Sequence, residues 1–314
     1  MSPEENSKNY SYENIPFSHN FNHTLVDRFL FPLSKKWIAG FNRDQALKYV
    51  KQTNQRGIGC ILNYLGEDLT EKGMIIDTIQ EYENLLGQIN IMCLKGCISI
   101  KPSQIGLSLN YDFCLNNLER IVKYAKKKGI FVWLDMESYK YVPTTILLYE
   151  ELTKEHSNVG IVVQSYLKRS IPDLSDLLNY SSGIRIVKGA YKESEDVAFQ
   201  SKSQIDENFI NLVKLMFSQS KESQKNDCII AIATHDSKLI DMIIDLFFQL
   251  NGNNINMEFQ FLKGVRDKLK IELLKRGFRI YEYTPYGDNW LPYSIRRLKE
   301  RKRNVFLLMR SLVD

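Results

Sequence analysis

A chain of 314 residues, 44% of them hydrophobic and 25% charged, is long enough to bury a sizeable core and has the balance of an ordinary globular protein. That excludes collagenous, low-complexity and wholly disordered readings, and no run approaches the roughly 18 apolar residues of a bilayer-spanning helix. The formal net charge of +5 is mild at this size and does not by itself point to nucleic acid.

Residues 1–20 are polar and rich in Asn, Ser and Glu, and read as a loose tail. The N-terminus has neither an apolar secretory core nor the Arg-rich, acid-poor look of a transit peptide, so a cytoplasmic protein is expected. Helical patterns follow over 24–38 and 44–53, and 1–56 is set apart from the remainder, 57–314. From there the chain changes character: short runs rich in Ile, Val and Tyr alternate with longer segments of 3.6-residue period. The runs are 58–64, 97–101, 130–135, 159–164, 184–188, 228–234, 255–261 and 278–283, and helices are predicted over 110–127, 144–155, 171–180, 203–218, 238–249 and 265–276. Eight such units at a spacing of roughly 30 residues fit an α/β fold of the (βα)8 TIM-type barrel. A doubly wound open sheet competes, but its nucleotide-binding form needs a Gly-rich turn after the first strand. Here the glycines of Gly57-Ile-Gly-Cys-Ile-Leu62 come before the strand and lack a third, so the dinucleotide fingerprint is absent.

Five cysteines, Cys60, Cys93, Cys97, Cys114 and Cys228, are odd in number and scattered, which is no disulfide framework. Cys93 and Cys97 have no second pair nearby, and His19 with His23 has no third ligand in view, so no metal site is expected.

Strands of a parallel barrel are buried on both faces and should be apolar, so their polar residues are informative. At or near the C-terminal ends of the eight runs stand Asn63 and Glu67, Lys101, Asp135 and Glu137, Gln164, Lys188, Thr234 and His235, Glu258 and Gln260, and Tyr283. Any one of them reads equally well as a local salt bridge or cap. Polar residues at the same end of all eight runs point to a ligand site, because barrel enzymes place their chemistry there and polar groups buried without partners are costly. Residues two apart share a strand face, which puts Asp135 with Trp133 and Glu137, and Arg185 with Val187, Gly189 and Tyr191. A glycine on such a face lets a flat ligand approach the backbone, though alone Gly189 reads more simply as a strand-to-loop turn.

Past the last run, Asp288 is a candidate cap and Pro292 stands in the first turn of a helix over 290–303. Arg296 and Arg297 fall three and four residues after Tyr293, on one face, and paired guanidinium groups suit a carboxylate or phosphate. The run Arg301-Lys302-Arg303 reads as a solvated basic face.

Seven segments in order resemble the proline dehydrogenases. They are Leu134-Asp-Met-Glu-Ser138, Val162-Val-Gln-Ser-Tyr-Leu-Lys-Arg169, Arg185-Ile-Val-Lys-Gly-Ala-Tyr191, Ala233-Thr-His-Asp236, Glu258-Phe-Gln-Phe-Leu262, Tyr283-Thr-Pro-Tyr-Gly287 and Tyr293-Ser-Ile-Arg-Arg-Leu298. The resemblance runs from about Gly57 to Leu312 and implies a distorted barrel with FAD across the strand ends and a C-terminal lid helix over the mouth. At this length no aldehyde-oxidising domain fits, so the stand-alone enzyme is expected rather than the fused form, proline utilisation A.

The resemblance implies oxidation of L-proline to Δ1-pyrroline-5-carboxylate, with hydride passing from the ring carbon beside nitrogen to the flavin N5. It implies that Lys101, Arg296 and Arg297 hold the proline carboxylate, that Lys101 pairs with Asp135 and that Asp135 organises the site. Tyr191, Leu262 and Tyr283 would pack on the ring, Tyr283 favouring proline over hydroxyproline, and Tyr293 would help close the lid. Met136, Gln164, Arg185, Lys188, Gly189, Ala190, Thr234, His235 and Gln260 fall at the family's FAD positions, with Arg185 stabilising charge on the reduced ring. Electrons would go to a quinone-type acceptor, and the product to a separate pyrroline-5-carboxylate dehydrogenase. The stretch from Arg301 through the apolar 305–308 reads equally as a peripheral membrane contact and as the closing barrel helix. Two alternatives stay open: a barrel lyase or aldolase with Lys101 or Lys188 as Schiff-base amine, and a basic binding module.

Overall fold

The structure, a computed structural model, describes residues 34–180, 182–222, 228–250, 252 and 255–300. The expected tail, His19 and His23, most of the helix expected over 24–38, the run 301–303 and the apolar 305–308 lie outside the described residues.

Eight parallel strands close into one barrel in sequence order: β1 (Gly59–Tyr64), β2 (Gly96–Ile100), β3 (Val132–Leu134), β4 (Val159–Gln164), β5 (Gly183–Val187), β6 (Ile229–Ala233), β7 (Met257–Leu262) and β8 (Arg279–Tyr286). Between and around them run α1 (Arg43–Gln55), α2 (Lys72–Ile91), α3 (Tyr111–Lys126), α4 (Val142–Thr153), α5 (Ser170–Leu177), α6 (Lys202–Glu222), α7 (Ser237–Gln249), α8 (Asp267–Lys275) and α9 (Trp290–Glu300). The barrel expected from the strand and helix periods is therefore present, and α2 fills the interval between the first two strands where the sequence offered no distinct helix.

Local chemistry explains where helices start. Asn42 caps α1 by accepting from Gln45 N, Asn110 caps α3 by accepting from Phe113 N, and Asp236 caps α7 by accepting from Lys238 N. In α3, Cys114, Leu118, Ile121, Val122 and Ala125 share one buried stripe, which sets that helix on the wall. Gly59, Gly160 and Gly183 leave room in the barrel interior: a Cβ at Gly59 would come within 2.4 Å of the Tyr281 ring, and one at Gly160 within 2.7 Å of the Trp133 ring. Aromatic side chains thus fill the barrel, and it is a packed core rather than a pore.

Strand alternation on β8 separates two functions. Tyr283 faces inward, while Glu282 faces the helical layer, where it takes hydrogen bonds from Tyr49 of α1 and Lys270 of α8. Residues 34–41 strap the rim of the barrel. Ala39 N donates to Pro285 O at 2.7 Å, and the Lys263 ammonium donates to the carbonyls of Lys35 and Lys36 at 2.9 and 3.2 Å. Trp37 and Ile38 of that strap pack with Leu65 against Trp290 and Tyr293, so an aromatic cluster seats α9 over the mouth. This is the lid position expected of the C-terminal helix; the helix is described to Glu300, and the last residues of the expected span 290–303 lie outside the described residues.

Candidate active site

The centre of the mouth is a buried polar network assembled from four strands. Asp135, the residue after β3, accepts through Oδ1 from Ser99 Oγ of β2 at 2.6 Å and from Arg185 Nη1 of β5 at 2.8 Å. Its Oδ2 accepts from the Tyr283 hydroxyl of β8 at 2.5 Å. The Arg185 guanidinium, 4% exposed, lies 4.6 Å from the centre of the Trp133 ring and 5.7 Å from that of Tyr283. Burial, and then the Asp135 carboxylate, push the Tyr283 hydroxyl well above its ordinary range, so it stays a donor.

Three expectations are corrected here. Lys101 was expected to pair with Asp135; instead Arg185 takes that place, because β3 and β5 both turn these side chains into the barrel, whereas Lys101 follows β2 and opens the 3₁₀ turn 102–105. Among the described residues Lys101 makes no ion pair, and its charge acts on Glu137. Glu258 was placed at the C-terminal end of its run; it is the second residue of β7, in register with Arg279 at the start of β8 and 3.7 Å from it, and so belongs to the opposite end of the barrel. Glu137 is also not turned to the mouth: its carboxylate accepts from Ser103 N at 2.9 Å and Ser103 Oγ at 2.5 Å, and burial pushes its carboxyl up to about 7 against those bonds.

One arc of the mouth offers a cation and aromatic rings. Arg296 of α9 pairs with Glu67, which follows β1. Arg297 lies over the Tyr293 ring at 5.3 Å. Burial raises the Tyr191 hydroxyl, and the carboxylates of Glu137, Glu67 and Asp135 add to this while Arg296 opposes it, which locates that phenol among them. Tyr293 in turn acts on Tyr283. The structure therefore joins Asp135, Arg185 and Tyr283 directly, and Tyr191, Tyr293 and Arg296 interact electrostatically with members of that group or with one another.

The other arc, from β4 to β7, carries unsatisfied polar atoms. Gln164 donates from Nε2 to the carbonyls of Met136 and Glu137, both at 3.2 Å, but its Oε1 is buried with no partner. The same holds for Oε1 of Gln260 and for Nε and Nη2 of Arg185. Buried donors and acceptors left unpaired are costly, and these three residues suit a planar ligand that both accepts and donates hydrogen bonds. Gly189 has φ +111°, and a Cβ there would come within 2.2 Å of the Tyr166 ring, so the glycine is required both by its backbone and by that close packing. Ala190 follows it at the end of the strand-to-loop turn. His235 accepts at Nε2 from Leu262 N at 3.0 Å and so ties the end of β6 to the end of β7, while Thr234 Oγ1 accepts from Asp236 N at 3.3 Å and closes the local turn after β6.

Lys188 is held in ion pairs with Asp206 at 2.6 Å and Asp236 at 3.2 Å. Lys202 joins the same two carboxylates, and although burial opposes it, the two lysines pull the Asp236 carboxyl down to about 2. An ammonium so engaged is a poor Schiff-base nucleophile. Ser99 and Tyr166 were not singled out from the sequence. A period-two reading would have found Ser99, which shares a face with Lys101; nothing local marks Tyr166.

Among the described residues, no helix is long and apolar enough to cross a membrane. The sequence profile of the family described as "Proline dehydrogenase" matches residues 46–308. The chain is 32% identical over 277 residues to "Proline dehydrogenase 2" of Bacillus subtilis (strain 168), covering 88% of this chain and 89% of that one. It is 31% identical to "Proline dehydrogenase" of Deinococcus radiodurans, with 92% and 93% covered. The crystal structure of proline utilization A (PutA) from Bdellovibrio bacteriovorus inactivated by N-propargylglycine superposes with a TM-score of 0.81 at 22% identity, over 87% of this chain and 33% of that one. The chain thus spans about a third of that protein's length, and this likeness concerns the fold.

Proposed function

The chain belongs to the proline dehydrogenase family, and from that premise we propose that it oxidises L-proline to Δ1-pyrroline-5-carboxylate with FAD as the electron acceptor. The observation that carries this reading is the buried network of Asp135, Arg185, Ser99 and Tyr283 beside unpaired polar atoms of Arg185, Gln164 and Gln260.

FAD, when bound, supplies the two-electron chemistry that no side chain can. Gln164, Arg185 and Gln260 would hold its ring system through those unpaired atoms, with Met136, Lys188, Gly189, Ala190, Thr234 and His235 around it. Asp135 already accepts three hydrogen bonds, so its role is to fix the Arg185 guanidinium and the Tyr283 hydroxyl. Arg296, Arg297 and Lys101 would take the proline carboxylate, anchoring a small substrate by its one permanent anion and orienting the ring carbon to be oxidised. Arg296 would exchange Glu67 for that carboxylate; both partners are part-exposed, at 38% and 26%, so the exchange is inexpensive. Tyr191, Leu262 and Tyr283 would pack on the ring, and Tyr293 on α9 would exclude water above it. The electrons would leave for a quinone-type acceptor, and a separate dehydrogenase would take the product.

An anaerobic absorbance spectrum of the FAD-loaded protein, before and after L-proline, tests this. Bleaching of the flavin band is expected. A bound flavin that proline leaves oxidised would mean another amine substrate. Failure to bind flavin at all would return attention to the Schiff-base reading, through Lys101.

A further inference from the structure

At the N-terminal end of the barrel, away from the mouth, lies a cluster that the proposed reaction does not use. Glu119 projects from α3, and Glu155 and His156 stand in the link from α4 to β4, which begins at Val159. One ligand atom from each, two carboxylate oxygens and an imidazole nitrogen, lies within 4.8 Å of the others. His156 is only 6% exposed, yet neither Nδ1 nor Nε2 has a hydrogen-bond partner. A buried imidazole without partners pays desolvation for nothing unless something else occupies its lone pair.

We propose that Glu119, Glu155 and His156 form a binding site for a divalent transition cation of the zinc class. The backbone already holds the three donors together. His156 N donates to Leu152 O at 3.0 Å, Lys126 Nζ donates to Glu155 O at 2.8 Å, and Asn158 Nδ2 bridges the carbonyls of Val122 and Ile130 at 3.2 and 3.1 Å. The link is thus pinned to α3 before any cation arrives. Zinc holds nitrogen and oxygen donors at about 2.0–2.2 Å, so the donors must close to roughly 3.3 Å from one another. Glu119 and Glu155 make no ion pair or side-chain hydrogen bond among the described residues, and turning surface carboxylates inward by that much costs little.

The donor set also selects the metal. Calcium and magnesium prefer oxygen-only shells, whereas an imidazole with two carboxylates suits zinc or a first-row neighbour. Lys126 and Lys123 act on the His156 imidazole and weaken its attraction for a cation.

Titration calorimetry of the full chain with zinc chloride tests the site. The expected result is one saturable site, weakened at least about tenfold in His156→Asn and in Glu119→Gln, with proline oxidation unchanged in both. Glu119→Gln alters a side chain without structural partners, so it remains informative if His156→Asn fails to fold. Absence of saturable uptake overturns the proposal. So do variants that titrate like the parent, which would assign the zinc to other donors, and equal binding of calcium chloride, which would remove the role of the imidazole.

Discussion

Asp135→Asn separates a network that organises the mouth from one that merely lines it. Asparagine keeps the shape but removes the charge that faces Arg185 at 2.8 Å, and its amide nitrogen cannot accept from the Tyr283 hydroxyl. Arg185 is 4% exposed and Asp135 13%, so solvent screens little of the loss. Removing one partner of such a buried pair costs about 3–5 kcal/mol, and with asparagine still accepting one hydrogen bond the lower end applies, about 3 kcal/mol. Equilibrium urea unfolding measures it, with proline-dependent dye reduction followed in parallel. Asp135→Asn combined with Arg185→Met is expected to recover most of the stability, because neither charge is then left unpaired, while proline oxidation stays lost. A single variant within about 0.5 kcal/mol of the parent, or a double variant no more stable than the single one, refutes the reasoning.

Arg296→Ala and Arg297→Ala are expected to raise the KM for proline by well over tenfold while FAD binding changes little; equal loss of both in a flavin titration would make the arginines structural. Tyr283→Phe removes one hydrogen bond to a carboxylate and keeps the ring, so a loss of about 1.5–3 kcal/mol is expected in urea unfolding, with slower proline oxidation. For Glu137 the folded carboxyl titrates at about 7, above its ordinary value of 4.5. The folded state therefore binds the extra proton between those values, and stability falls as pH rises through that window, by about 3 kcal/mol at most. Glu137→Gln should flatten this dependence, and a variant whose stability falls as steeply between pH 4.5 and 7.5 would exclude Glu137 as its source.

The barrel was legible because its signal is carried by many residues at once. Eight apolar runs with helical segments between them survive errors of a few residues at each boundary, and α3 and α7 announce their starts through Asn110 and Asp236. Several of the residues picked from the sequence meet at the barrel mouth, but their pairings could not be read from it. Strand period put Asp135 on one face with Trp133 and Arg185 on one face with Gly189, yet period says neither which face turns inward nor which strands face one another across a closed barrel, and Asp135 met Arg185 rather than Lys101. Glu258 went to the wrong end because its run, 255–261, begins three residues before it, and only the register with Arg279 shows that it is the second residue of β7.

What the sequence could not carry are contacts whose two halves lie far apart and have no periodic partner. Arg296 reaches Glu67 across most of the chain, and Trp37 meets Trp290 only because the strap over 34–41 is pinned to the strand ends by Pro285 and Lys263. These contacts seat the lid, and each joins the strap or the loop after the first strand to the last described helix. Among the described residues, an aromatic cluster and a part-exposed ion pair both hold the lid, and it can yield at the ion pair and stay anchored at the cluster. Loosening the cluster should therefore act on substrate binding from a distance. Trp37→Ala touches none of Asp135, Arg185 or Tyr283, yet on this reasoning it raises the KM for proline through α9 and leaves flavin affinity in place. An unchanged KM would mean that the barrel mouth, and not the strap, sets the position of Arg296.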